Sequence, residues 1–279
     1  MSGIKVSVLT PVYNTNIEHL RQCIDSILNQ TFTDFEFIIL NDSPENLDLE
    51  SVILSYHDTR IKYYKNDTNI GISKSRNKLL ELACGEYIAI FDHDDISVPD
   101  RLSRQVEYMD THPNIGVISG WLQNFESNDG ILITPENDKH IKVALTEDCF
   151  IAHTAAMIRK SVLTENNIKY ESEYTPCEDY RLWAKLMDIT EFYNIQDILV
   201  KYRWHQNNTT NNMSSDMKQT HDIIRNQIIQ QHPELRNIYN SWHITKVIVN
   251  IVCLFIPIAS IRRRLRKKLK RNFVKFDKR

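Results

Sequence analysis

The sequence predicts an α/β protein with a mostly parallel central sheet, helices on both faces and a helical C-terminal extension. Three observations lead to this prediction. Short β-branched runs alternate with stretches of helical spacing, polar loops follow the strands, and a polar helical pattern occupies about 216–245. Strand–helix alternation is typical of parallel sheets, because a parallel strand pair needs a long crossover connection.

The first part of the chain contains four predicted strands with helices between them. The strands are IKVSVLT (4–10), FEFIIL (35–40), IKYY (61–64) and EYIAIF (86–91), and the helices lie at 17–28, about 47–56 and 73–83. Pro11 is predicted to end the first strand. Ser73 is predicted to be the N-cap of the third helix, because a serine oxygen can accept from an unpaired N–H of the first turn.

The second part of the chain is less regular. A helix is predicted over about 100–111, and WLQNFE and ILIT form a hairpin around SNDG (127–130). We therefore expect one α/β domain at 1–210 and a helical extension at 211–279.

Three carboxylates follow the fourth strand within four positions, in the segment FDHDD (91–95). Asp92, Asp94 and Asp95 repel one another, and such a cluster favours a cation such as Mg²⁺ or Mn²⁺. The alternative is a solvated acidic turn that caps the next helix. Ligands of parallel sheets bind at the carboxyl ends of the strands, where the loops after all four strands should meet, and this favours a binding site.

Composition and charge narrow the class of protein. The net charge is −2, but residues 262–279 hold 11 basic residues and one acid, so this tail carries +10 and the rest of the chain −12. An acidic body argues against a nucleic-acid-binding protein. Five dispersed cysteines without a CxxC pair predict reduced thiols, and the N-terminal residues lack the pattern of a signal peptide. We therefore expect a cytoplasmic location.

Five segments in this order resemble glycosyltransferase family 2, whose members have the nucleotide-sugar-binding, Rossmann-like GT-A fold. They are TPVYN (10–14), NDS (41–43), NIGISKSRN (69–77), GEYIAIFDHDD (85–95) and CEDYRLW (177–183). The resemblance covers roughly residues 4–205. It implies a nucleotide-binding half at about 1–120, an acceptor half at about 121–210, and inverting transfer of a hexose or N-acetylhexosamine from a UDP-sugar.

The resemblance assigns the acidic cluster to the diphosphate. Asp92 is implied to contact the nucleoside side and to share the metal, and Asp94 to ligate Mn²⁺ or Mg²⁺. Asp95 assists or caps the following turn. His93 belongs to the nucleotide-sugar-binding segment as a spacer, and His205 resembles a metal ligand of relatives, although a lone histidine is more often structural.

Three residues of the first two loops are implied to bind the nucleobase. Tyr13 and Asn14 lie next to the base after Pro11, unless the tyrosine ring only covers the sheet edge. Asp42 resembles the carboxylate that accepts a hydrogen bond from uracil, and its alternative role is an Asx-turn before Pro44.

The third motif is implied to supply the remaining contacts to the nucleotide sugar. Gly71 lets the loop pass close to the ligand, and Ser73 is included among the nucleotide-sugar-binding residues. Arg76 is implied to reach the diphosphate or to support the acidic cluster, because a guanidinium suits fork-like recognition of oxygens. Its alternative role is a structural ion pair with Asp92 or Asp94.

The last motif contains the candidate base. The resemblance implies that Asp179 is the general base and Glu178 a supporting or acceptor-binding group, whereas the alternative is an acidic pair that stabilises a helix N-terminus. His153 and Trp183 are implied to contact the acceptor, although packing in the core is a competing role for both.

The C-terminal segment combines an apolar run, VIVNIVCLFIPIASI (247–261), with the basic run RRRLRKKLKR (262–271). The apolar run is shorter than the roughly 20 residues that span a bilayer. This pattern is typical of a peripheral anchor on anionic lipid, here at the inner face of the plasma membrane. The alternative is a C-terminal helix that docks on the body. A membrane anchor favours a lipid-linked or surface-glycan acceptor, as in lipopolysaccharide or capsule synthesis.

Two other functions compete with this interpretation. A nucleotidyltransferase also holds metal with acidic residues at strand ends, but it has a glycine-rich basic loop where this chain has TPVYNTN (10–16). A non-catalytic nucleotide-sugar-binding subunit would keep the binding residues without turnover.

Overall fold

The computed structural model describes residues 3–127, 129–204 and 215–241. The strands of this part are β1 (Val6–Val12), β2 (Phe35–Asn41), β3 (Ile61–Lys65), β4 (Tyr87–Ile90), β5 (Ile96–Ser97), β6 (Ile115–Glu126), β7 (Ile131–Leu132), β8 (Met157–Arg159) and β9 (Glu191–Trp204). The α-helices are α1 (Ile17–Leu28), α2 (Leu47–Leu54), α3 (Ile72–Leu82), α4 (Arg101–Thr111), α5 (Asp138–Leu145), α6 (Lys160–Glu165), α7 (Glu178–Leu186) and α8 (Ser215–Gln231). The predicted elements are present in the predicted order.

One sheet organises the molecule, with the strand order β3-β2-β1-β4-β8-β6-β9-β5 and β7 attached to β6. The strands β3, β2, β1 and β4 are parallel. In the other half β8 runs antiparallel to β4 and β6, and β5 runs antiparallel to β9. The long strands β6 and β9 are parallel to each other. The predicted α/β fold is confirmed, and the half that precedes the acidic cluster is parallel throughout.

The helices cover both faces of the sheet because the side chains of each strand alternate between the faces. Val6 and Val8 of β1 belong to one buried cluster with Leu20 of α1 and Met109 of α4. Leu9, the next residue after Val8, belongs to a second cluster on the other face of the sheet, which includes residues of α3 and α7. The sheet is therefore enclosed between two helical layers, each with its own buried cluster.

Two local predictions were wrong. Pro11 does not end β1, which continues to Val12 and pairs Pro11 with Leu40 of β2. The ladder to β4 stops at Leu9, so this end of β1 pairs on one side and tolerates a residue without an N–H. Ser73 lies inside α3, where Gly71 is the N-cap, and its Oγ lies 2.7 Å from Oγ1 of Thr175.

The polar helical segment packs against the body of the protein. Ile224 and Ile228 of α8 are buried in the same cluster as α7, and Gln227 accepts a hydrogen bond from Arg181 at 3.1 Å. Within the described ranges, no helix combines the length and apolar character that crossing a bilayer requires. The cysteines described there, Cys23, Cys84, Cys149 and Cys177, are all free thiols, as predicted. The apolar and basic runs of 247–271 lie outside the described residues.

Candidate active site

Four loops meet at the carboxyl ends of β1 to β4, as the sequence predicts. The backbone N–H of Asn14 donates to Oγ of Ser43 at 2.8 Å, which joins the first loop to the second. Oγ1 of Thr15 lies 2.8 Å from Nδ1 of His93, which joins the first loop to the acidic one. His93 therefore links two loops. The polar edge of the parallel strands forms one connected site.

The carboxylate of Asp42 holds the third loop in place. It accepts hydrogen bonds from the side chain of Asn66 at 2.7 Å and from the backbone N–H groups of Ile70 and Gly71 at 2.9 and 3.0 Å. The residue is 3% exposed. In this conformation Asp42 faces the loop of residues 66–71, and Asn41 rather than Asp42 makes the Asx contact, with the N–H of Ser43.

The first loop presents an aromatic ring to solvent. Tyr13 is 54% exposed and is one of the exposed large hydrophobic residues of the described part of the chain. Asn14 follows it with a φ of 45°, a left-handed conformation that asparagine adopts more readily than most residues. More than half of the Tyr13 side chain is therefore accessible to solvent at this edge of the sheet.

The three carboxylates of the acidic loop have different environments. The side chains of Asp92 and Asp94 are 29% and 17% exposed. Asp95 is fully buried, and burial together with the charges of Asp94 and Asp92 raises its pKa well above the usual range. Asp95 accepts from the backbone N–H of Arg203 at 2.9 Å, so its role is structural. Asp92 and Asp94 are the two carboxylates of this loop that remain partly accessible to solvent.

Arg76 joins the acidic loop to α7. Its Nη1 donates to Glu178 at 2.5 Å, and its Nη2 donates to Asp92 at 3.3 Å. Burial lowers the pKa of Arg76, but the charges of Asp92 and Glu178 outweigh this effect and raise it above the ordinary value. One cation therefore connects two carboxylates that are 86 positions apart in the sequence, as the predicted alternative of a structural ion pair with Asp92 requires.

Glu178 and Asp179 open α7 beside this ion pair. The carboxylate of Asp179 accepts from the backbone N–H of Tyr180 at 2.7 Å. Burial, followed by repulsion from Glu178, raises the pKa of Asp179 to about 6. A carboxylate with a pKa near neutrality, close to a crevice, is a candidate general base.

The two residues predicted to contact the acceptor sugar, Trp183 and His153, are both buried. Trp183 is fully buried, which favours the competing role of packing in the core over contact with a sugar. His153 is also buried and bonds the hydroxyl of Tyr170 at 2.9 Å. Burial lowers the pKa of His153 well below its usual value, so the imidazole is neutral and supports the site from within. His205 lies outside the described residues.

Two buried arginines were missed by the sequence analysis. Arg101 in α4 donates to the carbonyl oxygens of Ile90 and Ala156, and Arg203 in β9 contacts the acidic loop. A charged residue within a strand-like run such as ILVKYRW (198–204) is a signal of this kind. The sequence does not reveal which loop such a residue contacts.

The described residues contain no group of three or more His, Cys, Asp or Glu side chains arranged to hold a metal ion. Asp92 and Asp94 nevertheless suit a hard cation, because Mg²⁺ is commonly bound by one or two carboxylates together with substrate phosphates.

A parallel half-sheet with an acidic loop at its edge, joined to a candidate base in α7, is the arrangement expected of a glycosyltransferase with a GT-A fold. The chain belongs to glycosyl transferase family 2, whose family model matches residues 7–166.

Several individual glycosyltransferases are similar to this chain in sequence or in structure. The uncharacterized glycosyltransferase MJ1057 of Methanocaldococcus jannaschii is 36% identical over 205 residues, 71% of this chain and 70% of that protein. The Escherichia coli UDP-Glc:alpha-D-GlcNAc-diphosphoundecaprenol beta-1,3-glucosyltransferase WfgD is 27% identical over 230 residues, 80% of this chain and 87% of its own length. The structure of S. aureus TarS 1–349 in complex with UDP-GlcNAc superposes with a TM-score of 0.66 at 18% identity, covering 79% of this chain and 65% of that chain. The last similarity concerns the fold alone.

Proposed function

We propose that the protein is an inverting, metal-dependent glycosyltransferase that transfers a hexose or N-acetylhexosamine from a UDP-sugar to a glycan or lipid-linked acceptor. The observation that carries this proposal is the Arg76 bridge. It connects Asp92 of the acidic loop to Glu178 of α7 and thereby keeps Asp179 next to the loop. A donor-binding edge and a base are thus parts of one rigid arrangement.

The nucleoside is assigned to the first three loops. The exposed ring of Tyr13 can stack on the base, a contact worth about 1–3 kcal/mol in nucleic-acid complexes. Asn14 and Pro11 complete this side, and Asp42 keeps Gly71 and Ser73 close to the ligand through its hydrogen bonds to the third loop. The UDP-GlcNAc complex of the structural neighbour TarS and the UDP-Glc in the name of WfgD support uridine as the base.

Asp92 and Asp94 are assigned to a divalent ion held jointly with the donor diphosphate, with His205 as a further candidate ligand. Bound Mn²⁺ or Mg²⁺ would neutralise the charge that develops on the leaving diphosphate. The protein supplies two partly exposed carboxylates, together with Arg76, which donates to Asp92 at 3.3 Å.

Asp179 is assigned to the acceptor. Its carboxylate takes the proton of the acceptor hydroxyl as the oxygen attacks the anomeric carbon and the bond to the diphosphate oxygen breaks. This single displacement inverts the configuration at that carbon. Glu178 supports the step by holding Arg76, and its own bond to that arginine leaves it poorly suited to act as the base.

The acceptor and the location follow from the tail and from a relative. WfgD acts, by its name, on a diphosphoundecaprenol-linked sugar, which supports a lipid-linked acceptor in surface polysaccharide synthesis. The apolar and basic runs of 247–271 support peripheral binding to anionic lipid at the inner face of the plasma membrane. In this scheme 1–210 is the catalytic domain and 211–279 the membrane-associating extension.

The decisive experiment measures metal-dependent release of UDP or GDP from a panel of nucleotide sugars. We expect UDP release that stops when the metal is chelated. Asp179→Asn should abolish transfer and leave UDP binding close to that of the wild type, because the asparagine keeps the shape of the side chain but cannot accept the proton. Normal turnover by this variant would exclude Asp179 as the base.

The competing functions predict different products. A non-catalytic subunit would bind UDP with Mn²⁺ but release no UDP from any sugar donor. A nucleotidyltransferase would instead release pyrophosphate from a nucleoside triphosphate.

A further inference from the structure

Arg203 lies under the acidic loop, at the end of the long strand β9. It is 2% exposed, although arginine is rarely buried without specific partners. The acidic loop continues directly into β5, and β5 pairs with β9 through Ser97↔Val200 and Ile96↔Lys201. The sheet therefore brings Arg203 to the backbone of the loop.

The contacts of Arg203 fix this loop from two sides. Its backbone N–H donates to Oδ1 of Asp95 at 2.9 Å, and Nε donates to the carbonyl oxygen of Asp94 at 2.7 Å. Nη2 donates to Gln22 of α1 at 2.6 Å, and Nη1 bonds Glu126 at the end of β6. One side chain thus ties the peptide of Asp94 to two elements outside the loop.

The partner Glu126 has a strained backbone. Its φ is 74°, in the left-handed region that a residue with a side chain rarely adopts. Such strain persists where the surrounding structure holds it, and it is concentrated at functional sites. Here the strained conformation accompanies the bond between Glu126 and Arg203.

We propose that Arg203 is a positioning residue for Asp94, and through it for the divalent ion and the donor diphosphate; this inference rests on the proposed function. The arginine does not touch the ligand. It holds the Asp94 carbonyl, which restricts the peptide and therefore the place of the carboxylate. Groups that orient a metal ligand from behind commonly change metal affinity by about 10- to 100-fold when they are removed.

The guanidinium group carries several N–H donors in one plane, which explains why this position needs arginine. Nε and the two terminal nitrogens bond three separate acceptors, from Asp94, Gln22 and Glu126. A lysine has one terminal nitrogen and cannot reach all three in this planar arrangement. Arg203→Lys therefore keeps the charge and removes the positioning.

The test compares Arg203→Lys with a matched control, Arg159→Lys. Arg159 is partly buried and, like Arg203, donates to backbone carbonyls, here those of Met109 and Ile115, but it pairs with Tyr87 at the opposite end of β4. Binding of Mn²⁺ in the presence of UDP is measured by titration calorimetry. The Mn²⁺ concentration that half-activates UDP release, the rate at saturating Mn²⁺ and thermal unfolding are measured in parallel.

We expect Arg203→Lys to weaken Mn²⁺ binding by about 10- to 100-fold and to raise the half-activating Mn²⁺ concentration similarly, with a smaller change in the rate at saturation. Arg159→Lys should change thermal unfolding without changing Mn²⁺ affinity. Gln22→Leu, which removes one acceptor of Arg203 from the part-exposed face of α1, should weaken Mn²⁺ binding several-fold. It serves as the deciding variant if Arg203→Lys does not fold.

Mn²⁺ affinities equal to that of Arg159→Lys in both Arg203→Lys and Gln22→Leu would overturn the inference. The proposed function fails separately, and takes the inference with it, if the wild-type protein binds no Mn²⁺ in the presence of UDP.

Discussion

At the scale of single residues, Glu178 and Asp179 show how packing divides the work of two adjacent carboxylates. Glu178 accepts a bond from Arg76 at 2.5 Å, and Arg76 also donates to Asp92. Asp179 accepts from the N–H of its neighbour Tyr180, and burial with the charge of Glu178 raises its pKa to about 6. The residue that is bonded to a cation supports the site, and the residue with the raised pKa is suited to take a proton.

This difference predicts a pH dependence of catalysis. A general base must be ionised, so kcat/KM for transfer should fall as the pH is lowered through about 6. The profile is measured with the free enzyme at low donor concentration, because that regime reports the pKa of the unliganded protein. A rate that stays constant down to pH 4.5, about the pH where most of an Asp179 with this pKa would be protonated, would contradict the assignment.

The raised pKa also predicts that Asp179 destabilises the fold at neutral pH. Its ordinary value is 3.8, so the native state holds the proton more tightly than the unfolded chain does. The contribution of Asp179 to the stability of the folded protein is therefore most favourable below pH 4 and is lost as the pH rises through 6. Asp179→Asn should be more stable than the wild type at pH 8 by about 1–3 kcal/mol, with the difference shrinking toward pH 4.

Denaturant unfolding at both pH values measures this effect. Glu173→Gln is the matched control, because it removes an exposed carboxylate close by in the sequence, in the 3-10 turn Ser172–Tyr174. A stability difference for Asp179→Asn that does not depend on pH would contradict the raised pKa.

At the scale of elements, the loop between β3 and α3 depends on its bonds to Asp42 and on the conformation of Gly71. Gly71 has φ 82° and ψ 162°, a region that is essentially restricted to glycine. A Cβ at this position would meet no atom within 4 Å, so backbone strain and not a clash would limit substitution. The loop is therefore held by conformation and hydrogen bonding, with little packing.

Gly71→Ala is predicted to weaken UDP binding while the protein remains folded. The unfavourable φ should cost about 1–3 kcal/mol, either as lost stability or as a shift of the loop away from Asp42. Gly3→Ala is the control, because a Cβ there also meets open space and no positive φ is involved. Calorimetry with UDP and denaturant unfolding measure the two effects, and an alanine variant equal to wild type in both would show that the loop does not need this conformation.

At the scale of the whole molecule, charge and hydrophobicity are distributed unevenly along the chain. The body carries −12, and residues 262–279 carry +10. Each basic residue near an anionic membrane surface contributes on the order of 1 kcal/mol, so such a segment can hold an acidic protein on lipid. Ile224 and Ile228 of α8 are buried in the same cluster as α7. The helix α8, which precedes the basic tail in the sequence, is therefore attached to the catalytic body.

Deletion of 244–279 is predicted to abolish co-sedimentation with vesicles of anionic lipid and to leave hydrolysis of a water-soluble UDP-sugar unchanged. A variant with glutamine in place of the lysines and arginines of 262–271 separates charge from hydrophobicity. It should bind lipid more weakly and lose the salt dependence of binding. Lipid binding that survives the deletion would refute the anchor.

Much of the fold could be predicted from the sequence, because it depends on local patterns. The four runs that became β1 to β4 are apolar and β-branched, and the stretches between them repeat at helical spacing. The parallel order then required the loops that follow these strands to meet at one edge. The acidic segment FDHDD (91–95) was visible for the same reason, whereas the start of a helix at Glu178 and Asp179 was only the alternative to their catalytic role.

The sequence by itself determined the fold class, the edge that carries the site and the family, since these follow from periodicity and from motif order. Only the tertiary structure decided which residues within the motifs face the crevice. Arg76 and Glu178 are 102 positions apart, and Asp95 and Arg203 are 108 apart, so these pairings arise from the packing of distant elements. Burial of Trp183 likewise depends on which helix face meets the sheet, and a helical pattern of seven residues does not specify that choice.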